Sequence, residues 1–92
     1  MAKVVWNVAA LTNLNQAIDY IEQFDPDAAD RIGSRLLGLG ESLAHFPHRG
    51  RRSSDGQREM TNVPPYILRY QVEDDLVTIL RIRHGARRPD AD

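Results

Sequence analysis

Two amphipathic runs separated only by Asp25-Pro26 set the tightest limit on how this chain can fold. In the first run Leu11, Leu14, Ile18 and Ile21 recur at spacings of three and four, with Phe24 one turn on. Asn13, Gln16, Asp19 and Glu22 occupy the other side. This spacing gathers the apolar residues into one stripe of a 3.6-residue helix over roughly residues 8–24, with Asn7 as its N-cap. In the second run Ala29, Ile32, Leu36, Leu39, Leu43 and Phe46 repeat the pattern until Pro47 ends it. Asp25 caps this helix and Pro26 fits its first turn. So short a connection makes the pair an antiparallel hairpin whose apolar stripe needs a cover. Gly33, Gly38 and Gly40 each cost about 1 kcal/mol against alanine in a helix interior. They point to close packing against the first helix, or to a helix that frays.

The cover comes from strands. Lys3 to Trp6 reads as a short strand rich in valine and aromatic character. After a basic, polar loop from His48 to Gly56, residues Gln57 to Val63 alternate until Pro64-Pro65. Tyr66 to Val72 alternates strongly, with Tyr66, Leu68, Tyr70 and Val72 on one face and Ile67, Arg69 and Gln71 on the other. Glu73-Asp74-Asp75 makes a hairpin turn, and Leu76 to His84 forms the last strand. The order β-α-α-β-β-β gives an α+β fold, a helical hairpin packed on an antiparallel sheet. The expected core joins Leu14, Ile18, Ile21, Ile32, Leu36, Leu39 and Leu43 of the hairpin to Leu68, Tyr70, Leu80 and Ile82 of the sheet.

Composition narrows the classes of function. The 92 residues suit one domain, 1–92, and a chain this small buries only about 60% of its surface, so a partner that covers apolar surface is no surprise. Without cysteine there is no disulfide framework and no thiolate chemistry, which fits a reducing cytoplasm. No apolar run approaches the ~20 residues of a membrane helix, and the N-terminus lacks the shape of a signal peptide. A soluble cytoplasmic protein with no membrane partner is expected. The formal charge of -1 hides an asymmetry. Residues 1–48 carry six acidic and three basic groups, whereas residues 49–92 carry nine arginines against seven acids. Arginine suits planar, bidentate recognition of phosphate or carboxylate better than lysine does.

Several kinds of chemistry are unsupported. His45, His48 and His84 are the only histidines, and no cluster has metal-ligand spacing, so neither a metal nor another cofactor is expected. No glycine-rich phosphate loop joins a strand to a helix. Ser53-Ser54 has no identifiable base. What remains is a set of arginines on strands or strand ends, namely Arg58, Arg69, Arg81, Arg83, Arg87 and Arg88, with His84 among them. Four of these fall within Arg81–Arg88, and unpaired guanidinium groups there must face water or an anion. His84 beside Arg81 or Arg87 could act as acid or base on an RNA phosphodiester, with arginines stabilising the charge that builds on phosphate. The plainer reading is a histidine that hydrogen-bonds at a strand end.

Taken in order, Trp6, Leu14, Ala17-Ile18, Tyr20-Ile21, Asp25-Pro26, Ala28-Ala29, Leu43-Ala44, Phe46-Pro47, Gly50-Arg51, Arg58-Glu59-Met60, Tyr66-Ile67-Leu68-Arg69-Tyr70 and Ile79-Leu80-Arg81-Ile82-Arg83-His84-Gly85-Ala86-Arg87 resemble the RelE/ParE superfamily of bacterial toxins. The resemblance covers about residues 3–88. It implies the toxin of a type II toxin–antitoxin pair, of the kind that stabilises plasmids. A cognate antitoxin protein neutralises such a toxin, and the pair meets operator DNA only through the antitoxin. RelE-like members cut mRNA on the ribosome, whereas ParE-like members poison DNA gyrase. The RelE pattern puts basic residues along the middle strands and an arginine after the final glycine turn. Arg58, Arg81, His84 and Arg87 would be the catalytic set of such a ribonuclease. Met60 and Ile67, however, stand where that pattern has a lysine and an arginine, and no aromatic residue follows the turn before Asp92. His84-Gly85-Ala86-Arg87 looks closer to ParE. The resemblance therefore implies a gyrase inhibitor with Arg69, Arg83, Arg87 and Arg88 as candidate target contacts. An RNA-cleaving toxin and a non-toxic remnant that only binds its partner are the alternatives.

Overall fold

The computed structural model describes residues 1–85. Its elements are β1 (Lys3–Trp6), α1 (Val8–Glu22), α2 (Pro26–Glu41), β2 (Arg51–Arg52), β3 (Arg58–Val63), β4 (Tyr66–Glu73) and β5 (Leu76–His84). Both helices begin as their sequences dictate. The Asn7 side chain accepts from the Ala10 N–H at 2.8 Å, and that of Asp25 from the Ala28 N–H at 3.1 Å. α2 is shorter than its apolar pattern. It ends at Glu41 and passes into a 3-10 turn over Ser42–Ala44, where Leu43 stays fully buried and Phe46 is left exposed. The glycines of α2 divide by role. A Cβ on Gly33 would meet Ile18 of α1 at 2.9 Å, so this glycine permits the close helix approach, whereas Gly38 faces open space.

The sheet runs β1-β5-β4-β3-β2. It is antiparallel except at β1, which lies parallel to β5 with Val4 opposite Val77 and Trp6 opposite Ile79. The connection from β1 to the rest of the sheet is the helical hairpin itself, which lies across one face. The β4–β5 turn closes on Asp74, whose φ of 54° is in the left-handed region that aspartate tolerates.

The core forms between hairpin and sheet. Leu14, Leu36, Leu39 and Leu43 meet Met60, Leu68, Tyr70, Val77, Ile79 and Ile82, and Ile18, Ile21 and Ile32 pack around its margin. One expected member is displaced. Arg69 lies opposite Arg81 but Tyr70 lies opposite Ile79, so Leu80 is the extra residue of a β-bulge. The bulge shifts the alternation by one. Ile79 and Ile82 therefore both point into the core and are 0% and 4% exposed, while Leu80 is only half-buried. Asn13 of α1 marks the junction, its side-chain oxygen accepting from the Ile82 N–H at 3.1 Å.

Candidate functional site

The face of the sheet turned away from the helices carries a lateral row of charge. Strand register sets Arg51 of β2 opposite Glu59 of β3, Glu59 opposite Arg69 of β4, and Arg69 opposite Arg81 of β5. At about 4.8 Å between strands the row spans about 14 Å. Two directly opposed arginines are unfavourable on a sheet surface, and Glu59 answers that repulsion. It is 7% exposed. Arg69 donates to one of its carboxylate oxygens through both Nε, at 3.2 Å, and Nη2, at 2.8 Å. Arg83 reaches the same oxygen at 3.6 Å, and Arg51 the other at 3.5 Å. Burial works to raise the Glu59 pKa, but the Arg69 hydrogen bond and the charges of Arg69, Arg83 and Arg51 outweigh it and hold the carboxyl below its ordinary value. A cleft of about 280 Å³ beside this row is lined by Asn7, Asp55, Gln57, Arg69 and Arg81, among others.

The other predicted cations are separated from this row. Arg58 lies opposite Tyr70 and so belongs to the helix side of the sheet. Its Nη1 donates to the carbonyl oxygens of His48, at 3.1 Å, and Gly50, at 2.8 Å. The Tyr70 hydroxyl completes the same fastening, accepting from the Gly50 N–H at 2.9 Å and donating to the Pro47 oxygen at 2.8 Å. A Cβ on Gly50 would lie 2.7 Å from that hydroxyl, which is why glycine stands here. The basic loop after α2 is thus pinned by two side chains of the sheet, with His48, Arg49, Arg51 and Arg52 exposed on it.

His84 also faces the helix side. It pairs with Tyr66, and the two rings meet edge to face with centroids 5.6 Å apart. Both line a cleft of about 710 Å³ between α1 and the end of β5, together with Asn13, Gln16, Ala17, Tyr20, Ile82 and Arg83. Along β4 the partners of Arg58 and His84 are four residues apart, about 13 Å. Arg58 and His84 therefore share a face but not a site, and Arg81 is on the opposite face. Met60 is buried in the core at 3% exposure. Arg69 and Arg83 are only 25% and 16% exposed, and Arg87 and Arg88 lie outside the described residues. Among the described residues no three His, Asp or Glu side chains cluster as a metal site, and no helix is long and apolar enough to cross a membrane.

The sequence singled out the arginines but gave Glu59 no role. Its place between inward-facing Arg58 and Met60 was the available signal, because alternation then turns Glu59 outward with Arg69.

The model of the ParE toxin of the type II toxin–antitoxin system parDE matches residues 4–89. This chain belongs to the ParE toxin family. It is 52% identical over 87 residues to toxin RelE2 of Caulobacter vibrioides, covering 95% of this chain and 99% of that protein. It is 34% identical over 86 residues to toxin RelE1 of the same organism, covering 89% and 91%. A chain of the chromosomal ParDE TA system from P. aeruginosa superposes with a TM-score of 0.80 at 22% identity, covering 91% of this toxin and 96% of that chain, which is a likeness of fold. YafQ from E. coli superposes more loosely, at a TM-score of 0.51 and 19% identity, over 94% of this toxin and 96% of that chain. The protein is thus the toxin of a type II toxin–antitoxin system and has an antitoxin as its partner. The names of its relatives span both halves of the superfamily, RelE and ParE.

Proposed function

We propose that this toxin inhibits DNA gyrase in the cytoplasm, acts as one domain over residues 1–92, uses no cofactor and does not cleave RNA. The observation that carries the reading is the separation of the groups a ribonuclease would need. Arg58 and His84 are offset by about 13 Å along the strands and stand on β3 and β5, either side of β4, and Arg81 is on the other face. General acid–base catalysis needs its groups within hydrogen-bond reach of one phosphodiester, and Arg58 is already committed to two loop carbonyls. Met60, buried in the core, offers no cation in its place.

With Arg69 and Arg83 drawn onto Glu59, Arg87 and Arg88 are the preferred target contacts. The antitoxin covers apolar surface beside the helical hairpin. Tyr20 and Phe24 are 62% and 72% exposed there with ring centroids 5.3 Å apart, and Tyr20 also borders the larger cleft. Operator DNA is met only through the antitoxin. The test adds purified toxin to gyrase supercoiling reactions and, separately, to translating ribosomes. Inhibited supercoiling with intact mRNA is expected, with Arg87→Ala weaker than wild type at unchanged melting temperature. Cleaved mRNA with normal supercoiling would restore the RelE-like reading.

A further inference from the structure

The Glu59 carboxylate sits where an external anion would sit. Four guanidinium groups from three strands surround or adjoin it: Arg51, Arg69 and Arg83 within 3.6 Å, and Arg81 next to Arg69 in the row. Arg69 spends its Nε–Nη2 edge on it, and that edge is the fork with which arginine grips a phosphate. The carboxylate is nearly enclosed, so water screens its contacts with Arg69 and Arg83 less than its contact with the exposed Arg51. A sheet surface with this many arginines would otherwise attract the phosphates of a nucleic-acid strand.

We infer that Glu59 is a specificity determinant, a built-in substitute for phosphate that occupies the arginine row and keeps this face from binding RNA. The inference rests on the reading of the toxin as one that does not cleave RNA, and it adds the residue responsible. Glu59 acts on Arg69 and Arg83 rather than on a target, so it is a positioning residue. Its charge, and not its bulk, carries the effect. Glu59→Asp keeps the charge and Glu59→Gln keeps the shape, so the two variants separate the roles.

The experiment measures binding of a short labelled oligouridylate to the full chain at several salt concentrations, with melting temperature recorded for each variant. Wild type and Glu59→Asp should bind weakly and alike. Glu59→Gln should bind about tenfold tighter or more, through restored arginine–phosphate pairs. Its affinity should also fall more steeply with salt, by about 0.7 in log–log slope for each additional phosphate that an arginine neutralises. Glu59→Gln binding no tighter than wild type, or wild type already binding tightly, would overturn the inference. If Glu59→Gln does not fold, the wild type decides the matter through the NMR signal of Arg69 Nε–H during titration with inorganic pyrophosphate. An unmoved signal is expected, and a saturable shift would overturn the inference. Gyrase supercoiling run in parallel keeps the two readings distinct. A wild-type toxin that fails to inhibit gyrase removes the proposed target, while the comparison of RNA affinities stands or falls independently.

Discussion

Replacing Tyr70 by phenylalanine removes one oxygen and leaves the ring in place, at a residue that is 0% exposed. That oxygen accepts from the Gly50 N–H and donates to the Pro47 carbonyl. The substitution leaves a buried donor and a partly buried acceptor unsatisfied. Each such group costs about 1–3 kcal/mol, and the loop can turn the Pro47 oxygen toward water more easily than the Gly50 N–H, so a total of about 2–4 kcal/mol is expected. For a domain of this size that lowers the melting temperature by about 10–25 °C. The same hydroxyl gives a signature in alkali. Burial pushes its pKa up, against the lowering effects of the Gly50 N–H and the charges of Arg58 and Arg49. A group whose pKa is raised by folding contributes stability that is full below its unfolded value, about 10, and is lost as pH rises through the folded value. Denaturant titrations of wild type and Tyr70→Phe from pH 7 upward should therefore converge above pH ~10. A loss at neutral pH within about 0.5 kcal/mol would show that the hydroxyl does not fasten the loop.

Three further outcomes are expected. Leu36→Ala, at a side chain 1% exposed between hairpin and sheet, should cost about 2–5 kcal/mol in denaturant unfolding, and a surface-like cost would mean that α2 is wrongly phased. Because Glu59 has a depressed pKa, its contribution is present above the unfolded carboxyl value of about 4.3 and is lost as pH falls through the lower folded one. The stability gap between wild type and Glu59→Gln should then close under acid, and a gap that holds or widens would contradict the ion-pair account. Calorimetry with the antitoxin should give a strongly negative heat-capacity change, as apolar surface around Tyr20 and Phe24 is covered by a segment that folds on binding, whereas no binding would remove that surface from the account.

The parts legible in the sequence are those with a local cause. Asn7 and Asp25 announce the helix starts, and the alternation from Tyr66 onward gives β4 and β5 together with the outward placement of Arg69, Arg81 and Arg83. The rest depends on partners far apart in the chain. Ile79-Leu80-Arg81-Ile82 can put either Ile79 or Leu80 inward while alternating strictly, and only pairing with β4 shows that a bulge sends Ile79 and Ile82 inward together. Arg51 and Arg52 form too short a strand to leave a periodic trace. Glu59 was invisible as a centre because its three arginine partners come from β2, β4 and β5, whose register no local pattern fixes. The same limit applies to the Arg58, Arg81, His84 and Arg87 set. The sequence carries those residue types, and alternation sets Arg81 on the face opposite His84, but the offset of Arg58 from His84 along the strands follows from register.

The most direct test of the central claim follows a reporter plasmid and the cell's mRNA together after the toxin is induced without its antitoxin. Plasmid topology is resolved on chloroquine gels, and mRNA 5′ ends are mapped in the same samples. Inhibition of gyrase predicts loss of negative supercoiling, with no new mRNA ends and with topology restored when the antitoxin is co-expressed. Unchanged supercoiling alongside new cleavage ends within translated codons would contradict it.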